Sequence, residues 1–183
     1  MKKQRNIPLG LVRAAFWYDE DGYLIWRARK DVPFYINTRL EGVRAGTRAP
    51  SLSGYHVVII DGGPHQLHRI IWAYHNGPIP EGIFIDHIDG NKSNNKIDNL
   101  RAATPSQNGA SRKGLPSHNT SGFVGVSRSK GKWQAQIGYQ GKYKYIGTFE
   151  NKDDAARARD AAAIKAHGEF AYLNLPTNTP EEK

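Results

Sequence analysis

The stretch IDHIDGNKSNNKIDNLRAATPSQN, residues 85–108, joins an Asp-His pair, a run of asparagines and a Thr-Pro step. Asp86 and the amide of Asn108 offer hard oxygens of the kind that suit Mg²⁺, a cation that takes few protein ligands and keeps waters for a phosphate. His87 offers an imidazole, and an imidazole of ordinary pKa, about 6.5, takes a proton from water at neutral pH. One divalent cation, one base and a basic surface together describe hydrolysis of a phosphodiester. Such chemistry needs Asp86, His87 and Asn108 close to one another, so the flanking elements must fold back on themselves.

Local signals supply those elements. GIFIDHI, 83–88, reads as a strand, NLRAA, 99–103, as its partner, and 89–98 as a polar loop between them. Thr104 followed by Pro105 is an N-cap with proline at the first helical position, so a helix is expected from there to about Arg112. Asp86 and His87 then close the first strand, Asn99 begins the second and Asn108 lies one turn into the helix. Asn91, Asn94 and Asn95 are expected to turn the loop, because asparagine tolerates left-handed backbone and caps locally. A calcium loop starting at Asp89 fits poorly: its sixth position is Asn94 where glycine is required, and its twelfth is Leu100 where glutamate is required.

Upstream, FWYDEDGYLIWRAR (16–29) reads as a hairpin around Asp-Gly, and 30–53 as irregular. Tyr55–Ile60 is an expected strand with a short return strand. LHRIIWAYH gives a helix from Leu67 to His75, stopped by Asn76-Gly77-Pro78. Downstream, 113–122 is rich in Gly, Ser, Pro and Asn and reads as a linker. FVGVSRSKGKWQAQIGYQGKYKYIGTF then alternates in three runs split by glycine turns, an antiparallel sheet. An alanine-rich helix follows, capped by Asn151, with acids in its first turn and Gly168 as its stop. The expected class is α+β: a small ββα unit with N-terminal β-hairpins, then a three-stranded antiparallel sheet packed on one helix. The expected boundaries are 1–112, a linker at 113–122, a second domain at 123–176 and a flexible tail at 177–183.

The 183-residue chain carries net charge +9, which predicts attraction to a polyanion. Residues 1–112 hold 15 basic and 10 acidic side chains, 113–176 hold 10 and 5, and the tail holds one basic and two acidic. Both halves are therefore equally basic and both can face one partner. Cysteine is absent, which leaves neither a disulfide framework nor a thiolate zinc site. No apolar run approaches the ~20 residues of a membrane span, and the start lacks a signal-peptide pattern. An intracellular protein with no membrane partner is expected.

Taken with its flanks, the pattern resembles HNH nucleases of the His-metal finger (ββα-metal) group, particularly the phage and intron-homing kind. The matching pieces are Asp86-His87, Asn99 twelve residues after the histidine and Asn108 nine later, with HRIIWAYHNGPIPEG, FWYDEDGYLIWRAR and GYHVVIIDGG upstream. The resemblance implies that His87 is the general base. It implies that Asp86 and Asn108 hold one divalent cation, Mg²⁺ with Mn²⁺ able to substitute, and that Asn99 steadies the loop by side-chain-to-backbone hydrogen bonds. His68-Arg69 matches a recurrent pair of the family's lead-in helix; His68 either packs or touches a phosphate. Arg69 and Arg101 either position the scissile phosphate or are ordinary surface arginines. His56, His65, His75, His118 and His167 are expected to be structural or solvated. A phage origin would place the protein in the cytoplasm of a bacterial host.

From Asn119 to Phe149 the chain has five basic residues and no acidic one, interleaved with aromatics. GVS…GKWQAQI, YIGTFENKDDAARARDAAA and HGEFAYLNLP resemble the plant ethylene-response-factor (AP-two) DNA-binding domain over nearly its whole length. Such domains read their site with arginines and tryptophans on the sheet. Here Val124, Ser127 and Gly138 stand at arginine positions, Gln136 at a glutamate, and Tyr143 and Tyr145 at an arginine and a tryptophan. The fold is expected to carry over and the target sequence is not. By alternation Trp133, Ala135 and Ile137 face the helix, leaving Lys132, Gln134 and Gln136 toward DNA, joined by Arg128, Lys130, Tyr143 and Tyr145. The alternative for the two tyrosines is that they complete a packed sheet. Arg112 and Lys113 would add phosphate contacts from the linker.

The two resemblances imply a site-directed endonuclease on double-stranded DNA, monomeric and nicking by default because one cation site cuts one strand. Two alternatives are a DNA-binding regulator with an inactive nuclease fold and an RNA-binding protein.

Overall fold

A computed structural model describes residues 7–31, 34–48, 54–111, 115, 117–139 and 141–175. Arg112 and Lys113 lie outside them, as does the tail. Contacts divide the chain into two units, Met1–Ala103 and Thr104–Lys183.

The first unit begins with α1 (Leu9–Ala15) and the hairpin β1 (Phe16–Tyr18) and β2 (Leu24–Trp26). The Asp-Gly signal is met: Asp19 Oδ1 accepts the Tyr23 N–H at 2.7 Å and Gly22 sits at φ +91°. Then come α2 (Phe34–Leu40), β3 (Thr47–Arg48), β4 (His56–Ile60), β5 (Gly63–Gln66) and α3 (Leu67–Asn76). The unit ends with β6 (Phe84–His87), a 3₁₀ turn (Ile97–Asn99) and β7 (Leu100–Ala103). Strands pair as β1–β2, β3–β4–β5 and β6–β7, all antiparallel.

Two expectations need correction. Residues 30–53 are not wholly irregular, since α2, β3 and a bridge between Ile25 and Arg44 fall there. Each is shorter than the window in which periodicity is visible, and each is held by tertiary contacts. The N-terminal residues, given no element from the sequence, form α1, whose Val12 and Ala15 are buried while the helix packs on α3. The core joins α1, the first hairpin, β4, α3, β6 and β7 through Val12, Phe16, Leu24, Val58, Ile60, Ile70, Ile71, Ile85 and Leu100. Burying each large apolar side chain contributes about 1.5–3 kcal/mol. This core is the platform that carries the β6–β7 hairpin.

The second unit opens with α4 (Pro105–Ala110), followed by β8 (Val126–Ser129), β9 (Lys132–Tyr139), β10 (Lys142–Phe149), α5 (Lys152–His167) and a 3₁₀ turn (Gly168–Phe170). The sheet order is β10–β9–β8, with a bulge between Tyr145 and Gly147. α5 packs on it through Ala155 and Ala156 against Val126, Ala135 and Trp133. Asn151 Oδ1 caps α5 by accepting the Asp153 N–H at 2.8 Å, and Gly168 ends it at φ +55°.

Two further ties explain the lead into the sheet. Within the stretch read as a linker, Ser121 is buried and its Oγ donates to Val126 O at 2.8 Å, so its end is bonded to β8. Asp160 of α5 accepts from Asn174 N–H, Asn174 Nδ2 and Leu175 N–H at 2.8–3.0 Å, while Asn174 exchanges hydrogen bonds with the backbone of Val124. Gly125, at φ +74°, is required beside them: a Cβ there would stand 2.4 Å from the Gln136 carbonyl oxygen.

Candidate active site

Strand alternation sets the site's two faces. Along β6, Ile85 and His87 are buried while Phe84 and Asp86 are half-buried, so His87 turns to the core and Asp86 to the other side. Across the hairpin Asp86 pairs with Arg101 and His87 with Leu100. Arg101 Nε and Nη2 both donate to Asp86 Oδ2, at 3.2 and 3.1 Å. Asp86 Oδ1 has no hydrogen-bond partner among the described residues.

The asparagine run resolves into a cage around one carboxylate. Asp89 Oδ1 accepts from the Asn91 N–H at 2.7 Å and from Asn99 Nδ2 at 2.9 Å, and Oδ2 accepts from Asn94 Nδ2 at 2.7 Å. Asn99 also donates to Asn94 O at 2.7 Å and accepts the Asp89 N–H through Oδ1 at 3.0 Å. Asn99 thus bridges both ends of the loop, and Asn91 Oδ1 takes the Ser93 N–H. Burial raises the Asp89 pKa, but the hydrogen bonds from Asn94, Asn91 and Asn99 outweigh it and hold the carboxyl below its ordinary value.

Asn95 is the exception. It is 8 % exposed and its Oδ1 lies 3.0 Å from His87 Nε2. Its Nδ2 donates to Ser93 O at 3.5 Å, which leaves the carbonyl oxygen toward the imidazole. His87 therefore donates from Nε2–H, and Nδ1 keeps its lone pair. The sequence reading placed Asn95 only among the loop-turning residues; one asparagine in a run carries no mark of which points inward.

His87 is 5 % exposed and packs among rings. Its centroid lies 5.0 Å from that of His68 and 6.1 Å from that of Tyr55, while Tyr55 and His68 are 5.0 Å apart. Lys92 Nζ stands 4.6 Å from the Tyr55 ring centre. Tyr55 had no signal in the sequence beyond heading a strand. His68 is 3 % exposed, so of its two expected roles the structure shows packing. Burial, then the charges of His87 and Arg69, push its pKa down to about 3, and its Nδ1 has no hydrogen-bond partner among the described residues. Arg69 is half-buried on the same helix.

Asn108 belongs to α4 and is described with the second unit. Thr104 opens that helix with a capping box: its Oγ1 accepts the Gln107 N–H at 3.3 Å and its own N–H donates to Gln107 Oε1 at 2.8 Å. The Asn108 amide makes no hydrogen bond with another described residue. The carboxylate of Asp86 and the side-chain carbonyl of Asn108 are each oxygen donors of the kind that hard cations take. No cluster of three or more His, Cys, Asp or Glu suited to a metal exists among the described residues.

On the sheet, Gln134, Gln136, Tyr143 and Tyr145 share one face by register. Tyr143 is 81 % and Tyr145 57 % exposed, so neither completes a packed core. Lys132 Nζ reaches Glu150 Oε1 at 2.5 Å. Arg128 lies opposite Trp133 with its guanidinium 5.6 Å from that ring's centre, which puts it with the other face. Lys130 occupies the β8–β9 turn at φ +49°.

Comparison with known proteins agrees with both parts. Residues 65–110 match the HNH endonuclease family. The chain is 39 % identical over 115 residues to protein 3.8 of Escherichia phage T7, covering 57 % of this chain and 86 % of that protein. It is 37 % identical over 123 residues to an uncharacterized HNH endonuclease of Acanthamoeba polyphaga mimivirus, covering 67 % of this chain and 63 % of that protein. A further match, 42 % identical over 67 residues, is to dehydration-responsive element-binding protein 2D of Arabidopsis thaliana, covering 35 % of this chain and 32 % of that protein. HNH endonucleases generally use a divalent metal ion. Among the described residues no helix is long and apolar enough to cross a membrane. With the Asp86-His87 hairpin, the Asn99-braced loop and the capped α4 inside the matched segment, the chain belongs to the HNH endonuclease family and carries a C-terminal region similar to ethylene-response-factor transcription factors.

Proposed function

We propose that the protein is a homing-type endonuclease that nicks double-stranded DNA in a Mg²⁺-dependent reaction, with residues 1–112 cutting and 123–176 choosing the site. The observation that carries this reading is the 3.0 Å contact of His87 Nε2 with Asn95 Oδ1 at the end of β6, which leaves Nδ1 with its lone pair. His87 Nδ1 takes a proton from water; the resulting hydroxide attacks phosphorus, and the bond to the 3′ oxygen breaks. The leaving 3′ oxygen then takes a proton from solvent, which gives a 5′-phosphate and a 3′-hydroxyl. Asp86 and Asn108 would hold the divalent cation, which when bound stabilises negative charge on that leaving oxygen.

Asn99 keeps the loop that bears Asn95 in shape, and Arg101 holds Asp86 while offering donors toward a phosphate. Arg69, Arg112, Lys113 and Lys130 supply charge for the DNA backbone, so binding weakens steeply with salt. Linking a weak cutter to a site reader raises local concentration without new chemistry. The protein acts as a monomer, one cation to one strand.

The test is incubation with plasmid and genomic DNA in Mg²⁺ or EDTA, with His87→Ala alongside and new ends mapped by sequencing. Single-strand ends at one site that need both Mg²⁺ and His87 are expected. Binding without such ends would make the protein a regulator on a nuclease fold.

A further inference from the structure

The outer face of the second unit's sheet is uncharged at its centre. Gln136 lies opposite Tyr145, Gly138 opposite Tyr143, and Gln134 between Ser127 and Thr148. Directly opposed residues project from the same face, so these side chains form one amide, hydroxyl and aromatic surface. Lys132 shares the face and is paired with Glu150. Arg128, Lys142 and Lys144 have the other parity, opposite Trp133, Tyr139 and Ile137. The amides of Gln134 and Gln136 make no hydrogen bond with another described residue.

An unpaired amide on such a face offers a donor and an acceptor side by side. In the major groove adenine presents the complement, an N6–H donor beside the N7 acceptor, whereas guanine presents two acceptors and calls for arginine. Strand rise is about 3.3–3.4 Å per residue, so Gln134 and Gln136 lie about 6.7 Å apart. Bases along one strand of B-DNA are spaced about 3.4 Å, so that separation matches two base steps when β9 follows the groove. The thymine opposite each adenine adds a methyl group in the same groove, and the Tyr145 ring beside Gln136 gives it apolar surface.

We infer that the sheet selects duplex DNA with adenine at two positions two base pairs apart, read by Gln134 and Gln136. The inference rests on the DNA-cutting reading above and names the sequence class of its target.

The experiment is selection of bound duplexes from a randomised pool by the full chain in EDTA, followed by sequencing. Wild type is expected to enrich adenine at two positions with one base between them. Gln134→Ala relaxes one position and Gln136→Ala the other, each losing about 5- to 150-fold in discrimination. Gln136→Arg moves its position from adenine to guanine. Circular dichroism and melting of each variant verify the fold. No enrichment, a motif lacking the adenine pair, or a motif unchanged in folded glutamine variants would overturn the inference. Cleavage of the selected duplex in Mg²⁺ is scored apart: selection without cutting sinks the nuclease reading alone, and cutting without adenine selection sinks this inference alone.

Discussion

His87 Nε2 and Asn95 Oδ1 are 3.0 Å apart, and both residues are buried. The carbonyl oxygen selects the tautomer that leaves Nδ1 bare. Asn95→Ala should therefore lower cleavage by about 10–100-fold, as losing a partner that orients an imidazole commonly does, with DNA affinity unchanged. Nitrogen-15 shifts of the His87 ring should show a bare Nδ1 in the wild type and a mixture of tautomers in the variant. A wild-type rate from Asn95→Ala would remove the residue from the mechanism.

Removing the base itself is more severe. His87→Ala is expected to cut the rate by at least about 100-fold, the lower end for a general base, while a filter-binding assay in EDTA shows wild-type affinity. Retained cleavage would mean that another group activates water.

Asp86 has Oδ2 held by Arg101, while its Oδ1 makes no hydrogen bond with another described residue. A guanidinium and a divalent cation compete for the same carboxylate charge. Arg101→Gln should lower the Mg²⁺ concentration for half-maximal cleavage and also lower the maximal rate, since a phosphate donor is lost. Asp86→Ala should raise the Mg²⁺ requirement sharply. An unchanged Mg²⁺ titration in both variants would show that Asp86 does not hold the cation.

The buried ring of His68 makes stability depend on pH. The native state keeps it neutral down to about pH 3, whereas an unfolded histidine takes a proton near pH 6.5. Between those values the unfolded chain binds more protons, so stability falls as pH falls, by up to about 1.4 kcal/mol per pH unit from this group. Denaturant midpoints should fall along that slope in the wild type and less steeply in His68→Phe, which keeps a ring against Tyr55. Parallel curves would place the acid sensitivity elsewhere.

Thr104 closes both halves of the capping box on a helix of six residues, too short to be stable alone. Thr104→Ala is expected to cost about 1 kcal/mol in the second unit by chemical denaturation, and Thr104→Ser much less. Equal stability of the alanine variant would show that the box is redundant.

Elements that announce themselves locally were legible: the Asp-Gly hairpin, the Thr104-Pro105 helix start, the alternation of β9 and the Asn151 and Gly168 caps. Their signals are contained in a few adjacent residues. α2 and β3 were not legible, because such short elements owe their form to neighbours distant in sequence. In the site, Asp86, His87 and Asn99 stood out by type and spacing. Asn95 did not, since which amide of a run turns inward depends on the bends that Asp89 imposes. Tyr55 reaches His87 only through the packing of β4 and α3 on β6, which no local pattern encodes.

Tyr172 N–H donates to Ala110 O at 3.3 Å, and the 3₁₀ turn at Gly168–Phe170 packs on α4. For anyone retargeting this enzyme by swapping modules, that contact moves the seam. An exchange at 113–122 would strip α4, the bearer of Asn108, of the surface it rests on. A chimera that keeps residues 104–112 together with 168–172 beneath α4 should express as a cutter, whereas the linker graft should yield a chain with its last helix unmoored.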